Sequence, residues 1–571
     1  MINATLNPCI NSNASLEIDQ ACFSILNLYL NPVIFYAIAL NAYTGTGFPI
    51  TTLNPESNTS LVVDTKYPLH IYYKSVEPDR TYEYCHSTYT FKEHGSYGWN
   101  ISAAYLCSDI YVIHEPGNSY FPILIAFVIY MLLAVVWITS KIVIQMIRRK
   151  LPSNNVHDDL DRLQEENPTL PVIRITKFST RVQSVDAFRG IAILLMIFVN
   201  NGGGKYVFFN HSAWFGLFVA DLVLPWFAWI MGLTITISKR AELRLTTSRV
   251  KIALCCLRRS AKLILLGLML NSIDSKSLND LRFPGILQLL AVSYFVCAVL
   301  ETIFMKPHSL DILLQFGRFA IIRDILDNWP QCLIMAGIVT THTLITFFLP
   351  VPNCPTGYFG PGGKYHYCEH YINCTAGAAG YIDRLIFGNH LYNKTNNSIY
   401  GEILRYDPEG LMNTISAIFI VYLGVHAGKI LLLYYQPNAR VIRWFIWAVF
   451  TGIIAGILCN FETEGGMIPV SKRMMTLSYV LATSSLAFLL YALLYILIDY
   501  KQLWNGAPFI YAGINPIFLY VGHILTKDLF PWAWNIAHLS HASVLAMNLW
   551  TTTLWAIIAY LLYRNDIIVT V

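Results

Sequence analysis

The sequence predicts a polytopic α-helical membrane protein with about eleven transmembrane helices and a small β-rich N-terminal lumenal domain. Three observations carry this prediction. Of 571 residues, 55% are hydrophobic and only 13% are charged, whereas soluble domains carry about 25% charged residues. Apolar windows of about 20 residues, long enough to cross a bilayer as helix, recur after residue 118. The segment before them is polar, with alternating runs such as Leu61–Val63 and His70–Tyr73 and turn formers at Glu77, Pro78 and Asp79. That pattern reads as short strands.

The expected spans lie near 121–145, 187–201, 214–238, 252–271, 283–305, 332–350, 411–433, 442–460, 474–499, 508–526 and 546–563. Residues 1–118 form the β-rich domain, 119–147 the first helix, 148–180 a flexible cytosolic linker, and 181–571 a bundle of about ten further helices. Two signals orient the set. The sequons at Asn3, Asn13, Asn58, Asn100, Asn373, Asn393 and Asn396 fall on one side, and glycans are added in the lumen. The opposite loops are basic, at Arg148, Arg149 and Lys150 and again at Lys239, Arg240, Arg244, Arg249 and Lys251, as the positive-inside rule expects of the cytosolic face. The N-terminus is therefore lumenal and the C-terminus cytosolic. The formal net charge of +5 is small and sits in loops, which suits topology and excludes nucleic acid as a partner.

Cys9, Cys22, Cys85 and Cys107 are an even set in an oxidising compartment, so two disulfides are expected, with the pairing open. No signal-peptide pattern appears at Met1, and missing leader sequence is the favoured reading. The loop 351–408 is a second lumenal module, where Cys354 is expected to pair with Cys374 and leave Cys368 over. No cysteine or histidine spacing resembles a metal site, so no metal is expected.

Chemistry concentrates between Arg181 and Ser238. Two apolar spans flank a polar hinge that holds Asn200, Asn201, Gly202–Gly204, Lys205 and His211, and Asp221 stands inside the second span. Ionisable groups in hydrocarbon are costly and tend to mark a pathway or a reaction centre. The glycine run lacks the Lys-Ser/Thr that follows in a phosphate loop, so it reads as a bend in the backbone where a ligand passes.

These residues resemble the heparan-α-glucosaminide N-acetyltransferase family. The likeness is carried by Ser184–Gly190, Asn200–Tyr206, His211–Trp214, Asp221–Phe227, Arg282–Gln288, Cys354–Tyr358, Gly377–Arg384, Tyr406–Gly410 and Gly522–His523, and covers roughly residues 180–570. It implies a lysosomal multi-pass membrane enzyme that moves the acetyl group of cytosolic acetyl-CoA onto the terminal, non-reducing-end glucosamine of heparan sulfate in the lumen. The family's active-site histidine maps onto His211 as base or acyl carrier, and its neighbouring asparagine onto Asn200. Direct transfer in a ternary complex and an acetyl-histidine intermediate both stay open, with the direct route favoured.

Such a reaction needs an anion site on the cytosolic side and a sugar site on the other. For the coenzyme A phosphates, which recruit Arg and Lys, the candidates are Arg189, Lys239, Arg240, Arg258, Arg259, Lys262 and Lys429. For the sugar they are Asp221, Asp383, Asp407 and His523, with Arg384, Glu409, Glu462 and Glu464 in reserve. Each has a plainer reading: a positive-inside charge, a packed core residue, or the Asp186–Arg189 pair closing on itself. The alternatives to the acetyltransferase are an O-acetyltransferase for another lumenal glycan and a secondary transporter. The transporter lacks support from an internal repeat. Within 271–281 there is no cysteine of the kind that links two subunits in the family, so the homodimer that the resemblance implies is non-covalent or linked differently.

Overall fold

The structure, a computed structural model, describes residues 16–39, 48–75, 84–103, 106–150, 181–245, 248–273, 275, 277–305, 323–363, 371, 373–392, 396–397, 401–463 and 465–569. Within the N-terminal region it has β1 (Gln20–Asn27), β2 (Val33–Ala39), β3 (Phe48–Leu53), β4 (Ser57–Asp64), β5 (Leu69–Ser75), β6 (Tyr84–Tyr89), β7 (Ser96–Ala103), β8 (Leu106–Cys107) and β9 (Tyr111–His114). One sheet runs β4-β1-β7-β8 with β9 also on β7, and the other runs β3-β2-β5-β6. Alternation aims Phe23, Phe35, Tyr73 and Trp99 inward, where their ring centroids lie 6.1–6.4 Å apart. Two sheets sharing an aromatic interior make the sandwich that the alternating pattern suggests. A disulfide joins Cys85 to Cys107, and Cys22 is disulfide-bonded as well. Asn3, Asn13, Cys9 and the linker 151–180 lie outside the described residues, as do Cys368 and Asn393.

The helical part comprises α1 (Phe121–Lys150), α2 (Gln183–Asn200), α3 (Val219–Leu245), α4 (Arg249–Ser272), α5 (Ile286–Phe304), α6 (Arg323–Leu326), α7 (Trp329–Phe348), α8 (Gly377–Phe387), α9 (Leu411–Leu433), α10 (Pro437–Leu458), α11 (Leu477–Tyr495), α12 (Phe509–Ile514), α13 (Pro516–Leu525) and α14 (His541–Arg564). Among the described residues nine helices are long and apolar enough to cross a membrane, against the eleven windows counted. The window at 252–271 is a full-length helix, α4, but it carries Arg249, Lys251, Arg258, Arg259 and Lys262, so it falls short on apolarity. The window at 508–526 is broken in two. Asn515 leaves helical geometry at φ −118°, ψ 50°, and Pro516, which has no N–H to give, starts α13.

The bundle core is built on close helix crossings. A Cβ at Gly232 of α3 would lie 1.9 Å from the Val421 carbonyl oxygen of α9, and one at Gly424 of α9 would lie 1.9 Å from that of Trp229. Gly190 of α2 and Gly513 of α12 meet the opposing backbone in the same way, at 1.8 Å. Small residues at such crossings let backbones touch where lipid supplies no hydrophobic drive. By contrast α1 is exposed along its length and touches α14 at the Tyr130–Thr553 hydroxyl pair, 2.6 Å apart.

The described parts of the segments between α2 and α3, α7 and α9, and α10 and α11, with the start of α14, gather at one end of the bundle together with the β-rich region. Trp214 donates to the Phe359 carbonyl at 2.8 Å, Ser471 to that of Trp214 at 2.8 Å, and His541 to that of Gly204 at 2.8 Å. The expected disulfide between Cys354 and Cys374 is present and ties down the loop that carries Phe359. This end holds the hinge.

Candidate active site

A cavity of about 420 Å³ opens between α2, α3, α4, α5 and the broken helix α12–α13. Ala220 and Ser238, both in its wall, are separated by five turns of α3, about 27 Å at 1.5 Å per residue. That is close to the thickness of a bilayer's hydrocarbon core, about 30 Å. Its middle is apolar, lined by Ile193, Met196, Val223, Phe227, Ile230 and Met231, and its two ends are polar.

At the hinge end stand His211, Asn200, Lys472 and Glu409. His211 Nδ1 lies 2.8 Å from Asp221 Oδ1. Asp221 is fully buried, and its other oxygen accepts from the amides of Ser212 at 3.1 Å and Phe218 at 3.0 Å. A carboxylate only accepts, so Nδ1 carries the proton and Nε2 is left bare as the basic nitrogen. The Lys472 ammonium lies beside the ring, 2.8 Å from Nδ1, 3.1 Å from Nε2 and 3.9 Å from Asp221 Oδ1; since Nδ1 gives its proton to Asp221, Nε2 is the nitrogen that can accept from it. Burial first, and then the Lys472 charge, pull the His211 imidazole below its ordinary range, against the opposing influence of Asp221. Burial likewise pulls Lys472 down, while Asp221 and Glu409 resist.

Lys472 was not singled out in the sequence because it is distant from the hinge and sits in a loop. Its neighbours explain how it arrives. Ser471 Oγ donates to the Trp214 carbonyl, Arg473 Nε donates to the Ala213 carbonyl at 2.8 Å, and the Gly216 amide donates to the Val470 carbonyl at 2.8 Å. The loop is stitched alongside residues 213–216, and the lysine between the stitches has to face the histidine.

Asn200, the last residue of α2, sits 3.1 Å through Nδ2 from His523 Nε2. His523 Nδ1 donates to the Leu519 carbonyl at 3.2 Å, so Nε2 accepts and Asn200 must present its amide N–H there. The second N–H and the carbonyl oxygen of Asn200 remain for the cavity. His523 itself is buried behind Asn200 and holds it in place.

Glu409 enters the wall two residues beyond Asp407. Burial pushes its carboxyl up to about 7, with Arg282 opposing. Asp407 takes a bidentate pair of bonds from Arg282, at 2.6 and 2.5 Å, plus the amides of Tyr392 and Glu409. Asp383 accepts the Leu411 amide at 2.9 Å and so caps the start of α9. Both are fully buried, and neither is in the cavity wall. Their place is structural: Arg282 and two amides take up Asp407, while Asp383 holds the start of α9 through Oδ1 and keeps a buried Oδ2 with no hydrogen-bond partner among the described residues.

The far end of the cavity carries Arg181, Arg189 and Arg259. Arg189 Nη1 bonds Asp186 at 3.2 Å and the Gly513 carbonyl at 3.0 Å, while Arg181 also clasps Asp186. The Arg259 guanidinium lies 4.9 Å from the centre of the Tyr294 ring, which shares the wall. Ile568 and Val569 close this end, where Asn515 pairs with the chain by accepting from the Val569 amide and donating to the Ile567 carbonyl, both at 2.9 Å.

Of the expected phosphate ligands, Arg189 and Arg259 reach the cavity; Lys239, Arg240, Arg258 and Lys429 do not. Lys239 pairs with Glu242 at 2.6 Å, and Arg240 donates to the Leu432 carbonyl at 3.2 Å. Arg258 is exposed on α4, outside the cavity wall. Lys429 is buried against Glu301 at 3.1 Å, with Asn328 and Gln331 beside it. Arg181, which begins the span, joins the pair instead. Among the described residues no group of three or more His, Cys, Asp or Glu is placed to hold a metal ion.

With this geometry in hand, the comparisons with known proteins are specific. The family described as heparan-alpha-glucosaminide N-acetyltransferase, catalytic, matches residues 181–352, which contain α2, the hinge and α3. A mouse protein named heparan-alpha-glucosaminide N-acetyltransferase is 36% identical over 97% of this chain and 89% of its own length. The human protein of the same name is 39% identical over 85% of this chain and 77% of its own. The likeness extends well beyond the matched catalytic region and takes in both ends of the cavity. The chain therefore belongs to the heparan-alpha-glucosaminide N-acetyltransferase family of acyltransferases.

Proposed function

We propose that this protein carries acetyl from cytosolic acetyl-CoA to the non-reducing-end glucosamine of heparan sulfate in the lysosomal lumen. The observation that carries the proposal is the single cavity with arginines at one end and His211 at the other. Coenzyme A offers phosphates for Arg181, Arg189 and Arg259, an extended arm for the apolar middle, and a thioester that can reach the hinge. The relatives' names supply the acceptor. The hinge end is lumenal in this reading, as the sequons at Asn58 and Asn100 suggest.

The chemistry follows from the residues present. The acceptor amine must be neutral to attack. His211 Nε2, kept unprotonated by burial and by Lys472, takes the proton from the amine nitrogen while Asp221 holds Nδ1–H in place, a role typically worth about 10²–10⁴ in rate. The nitrogen forms a bond to the thioester carbon. The carbon–sulfur bond breaks, and the imidazolium returns its proton to the departing thiolate. Charge that gathers on the thioester oxygen needs donors already in place, and Lys472 Nζ and the free N–H of Asn200 are the donors in the wall. Glu409, in the wall at this end with Oε2 taken by Arg282, has Oε1 left for the sugar's amine or a hydroxyl.

The test uses full-length protein purified in detergent, acetyl-CoA labelled in its acetyl group, and glucosamine. Transfer by wild type that vanishes in a folded His211→Ala variant supports the proposal. Equal transfer by the two would move the chemistry off the hinge. Coenzyme A binding without transfer would indicate another acceptor.

A further inference from the structure

Where the β-rich region meets the helical bundle, the described residues include a buried histidine that the reaction itself does not use. His541, the first residue of α14, is 6% exposed. Its Nδ1 lies 2.8 Å from the Gly204 carbonyl oxygen in the hinge. Its Nε2 lies 3.3 Å from Asp19 Oδ1 and 3.4 Å from Glu93 Oε2, both from the β-rich region. The Gly204 carbonyl only accepts, so Nδ1 carries a proton. Nε2 faces two carboxylates at ion-pair distance, and such neighbours favour the imidazolium.

The segment it grips is one that needs holding. Gly202, Gly203, Gly204 and Lys205 follow one another at φ +108°, +54°, +69° and +59°. The three glycines take positive φ freely and have no side chains to fix their path, while Lys205 is strained there and keeps that conformation only where its surroundings hold it. The Tyr206 ring stacks on His541 with centroids 4.3 Å apart, and its hydroxyl donates to the Ser119 carbonyl at 2.7 Å, where the β-rich region passes into α1. His211 stands further along this same loop.

We propose that His541 is a positioning residue for acetyl transfer, an imidazolium clasp through which the β-rich domain holds the glycine hinge and thereby the reacting histidine. The proposal rests on the acetyltransferase reading for the role of His211. The charged and titratable groups around the clasp are Asp19 and Glu93, then Lys66 at 3.8 Å from Asp19 and His94 at 3.8 Å from Glu93, with Lys205 and Tyr206 on the hinge side. Loss of the His541 proton would turn a bare nitrogen toward two carboxylates and open the clasp.

Two variants of the full chain test this: His541→Ala, and the isosteric Asp19→Asn/Glu93→Gln, which leaves the hinge and the helices untouched and serves if the first does not fold. In the double variant kcat for labelled acetyl transfer should fall about tenfold or more, since small displacements of reacting groups cost that much, while KM for acetyl-CoA, bound mostly at the far end, stays within about twofold. Amide hydrogen exchange over 201–211 should be faster than in wild type. Against burial, Asp19, the Gly204 carbonyl and Glu93 hold the His541 imidazolium above its ordinary range, so in wild type that exchange, corrected for its intrinsic pH dependence, should rise only above about pH 6.5, and the double variant should show no such rise. Unchanged hinge exchange in the double variant overturns the proposal, even if kcat or Tm falls. Unchanged kcat overturns it too. Wild-type protein that binds acetyl-CoA but transfers nothing to glucosamine would sink the acetyltransferase reading, and the exchange comparison would still decide the clasp.

Discussion

Replacing Asp221 with Asn would ask one buried carboxylate's partners to accept an amide in its place. Three donors converge on Asp221: His211 Nδ1 at 2.8 Å on one oxygen, and the Ser212 and Phe218 amides at 3.1 and 3.0 Å on the other. An asparagine has a single oxygen. Facing it toward the two amides satisfies both and sets the NH₂ against His211. The opposite orientation would bury the NH₂ against two N–H groups, at about 1–3 kcal/mol for each unsatisfied donor. The first orientation wins, and it forces His211 Nδ1 to accept. The proton then sits on Nε2, and the base is gone. Loss of a general base typically costs about 10²–10⁴ in rate, so Asp221→Asn should lower kcat by that much with KM for acetyl-CoA nearly unchanged. The assay is transfer of labelled acetyl to glucosamine by detergent-purified protein, with coenzyme A binding as the control for folding. Activity within about threefold of wild type would refute the assignment of Asp221 as the group that sets the His211 tautomer.

Other outcomes follow from the same geometry. Because burial and Lys472 hold His211 below the usual imidazole range, the acid limb of kcat/KM should lie below about pH 6.5, and Lys472→Met should move that limb to higher pH while also lowering kcat. Arg259→Ala should raise KM for acetyl-CoA about tenfold, the loss of one charge-assisted phosphate contact, with kcat held; an unchanged KM would take Arg259 out of the nucleotide site. Burial pushes the Asp383 carboxyl from 3.8 up to about 7, so the folded protein binds a proton there that the unfolded chain has released. Stability is then greatest below about pH 4 and falls as pH rises toward 7, by on the order of 4 kcal/mol from this group. Thermal unfolding of Asp383→Asn across that range should show a shallower fall than wild type, with the remaining slope due to Glu409; identical slopes would mean that Asp383 is ionised in the fold. Gly232→Ala, which sets a Cβ 1.9 Å from the Val421 carbonyl, should lower Tm by pushing α3 and α9 apart, and an unchanged Tm would mean that this crossing gives way easily.

Much of this protein is legible along the chain, because hydropathy and alternation are local. Spans such as 411–433 coincide with their helix, and the runs at Leu61–Val63 and His70–Tyr73 fall in strands. The hinge could be found because Asn200, the glycines, His211 and Asp221 lie close together in sequence, and polar groups between apolar spans stand out by cost alone. The expected Cys354–Cys374 pair is present. What local pattern cannot express is which polar groups folding satisfies. Asp383 and Asp407 look like Glu409 in sequence, yet Asp383 holds a helix start, Arg282 bonds both Asp407 and Glu409, and of the three only Glu409 also reaches the cavity wall. Lys239, Arg240, Arg258 and Lys429 look like Arg189 and Arg259, and only helix rotation and neighbours separate them. Lys472 and His541 reach the hinge across hundreds of residues, through loop-to-loop bonds that leave no periodicity behind. The chain alone thus determines that it lives in a membrane, where its chemistry is concentrated, and which family's motifs it carries. Tertiary structure decides which charges reach the cavity and which pair out of its reach, because pairing in a low-dielectric interior depends on distances of a few ångströms between elements far apart in sequence.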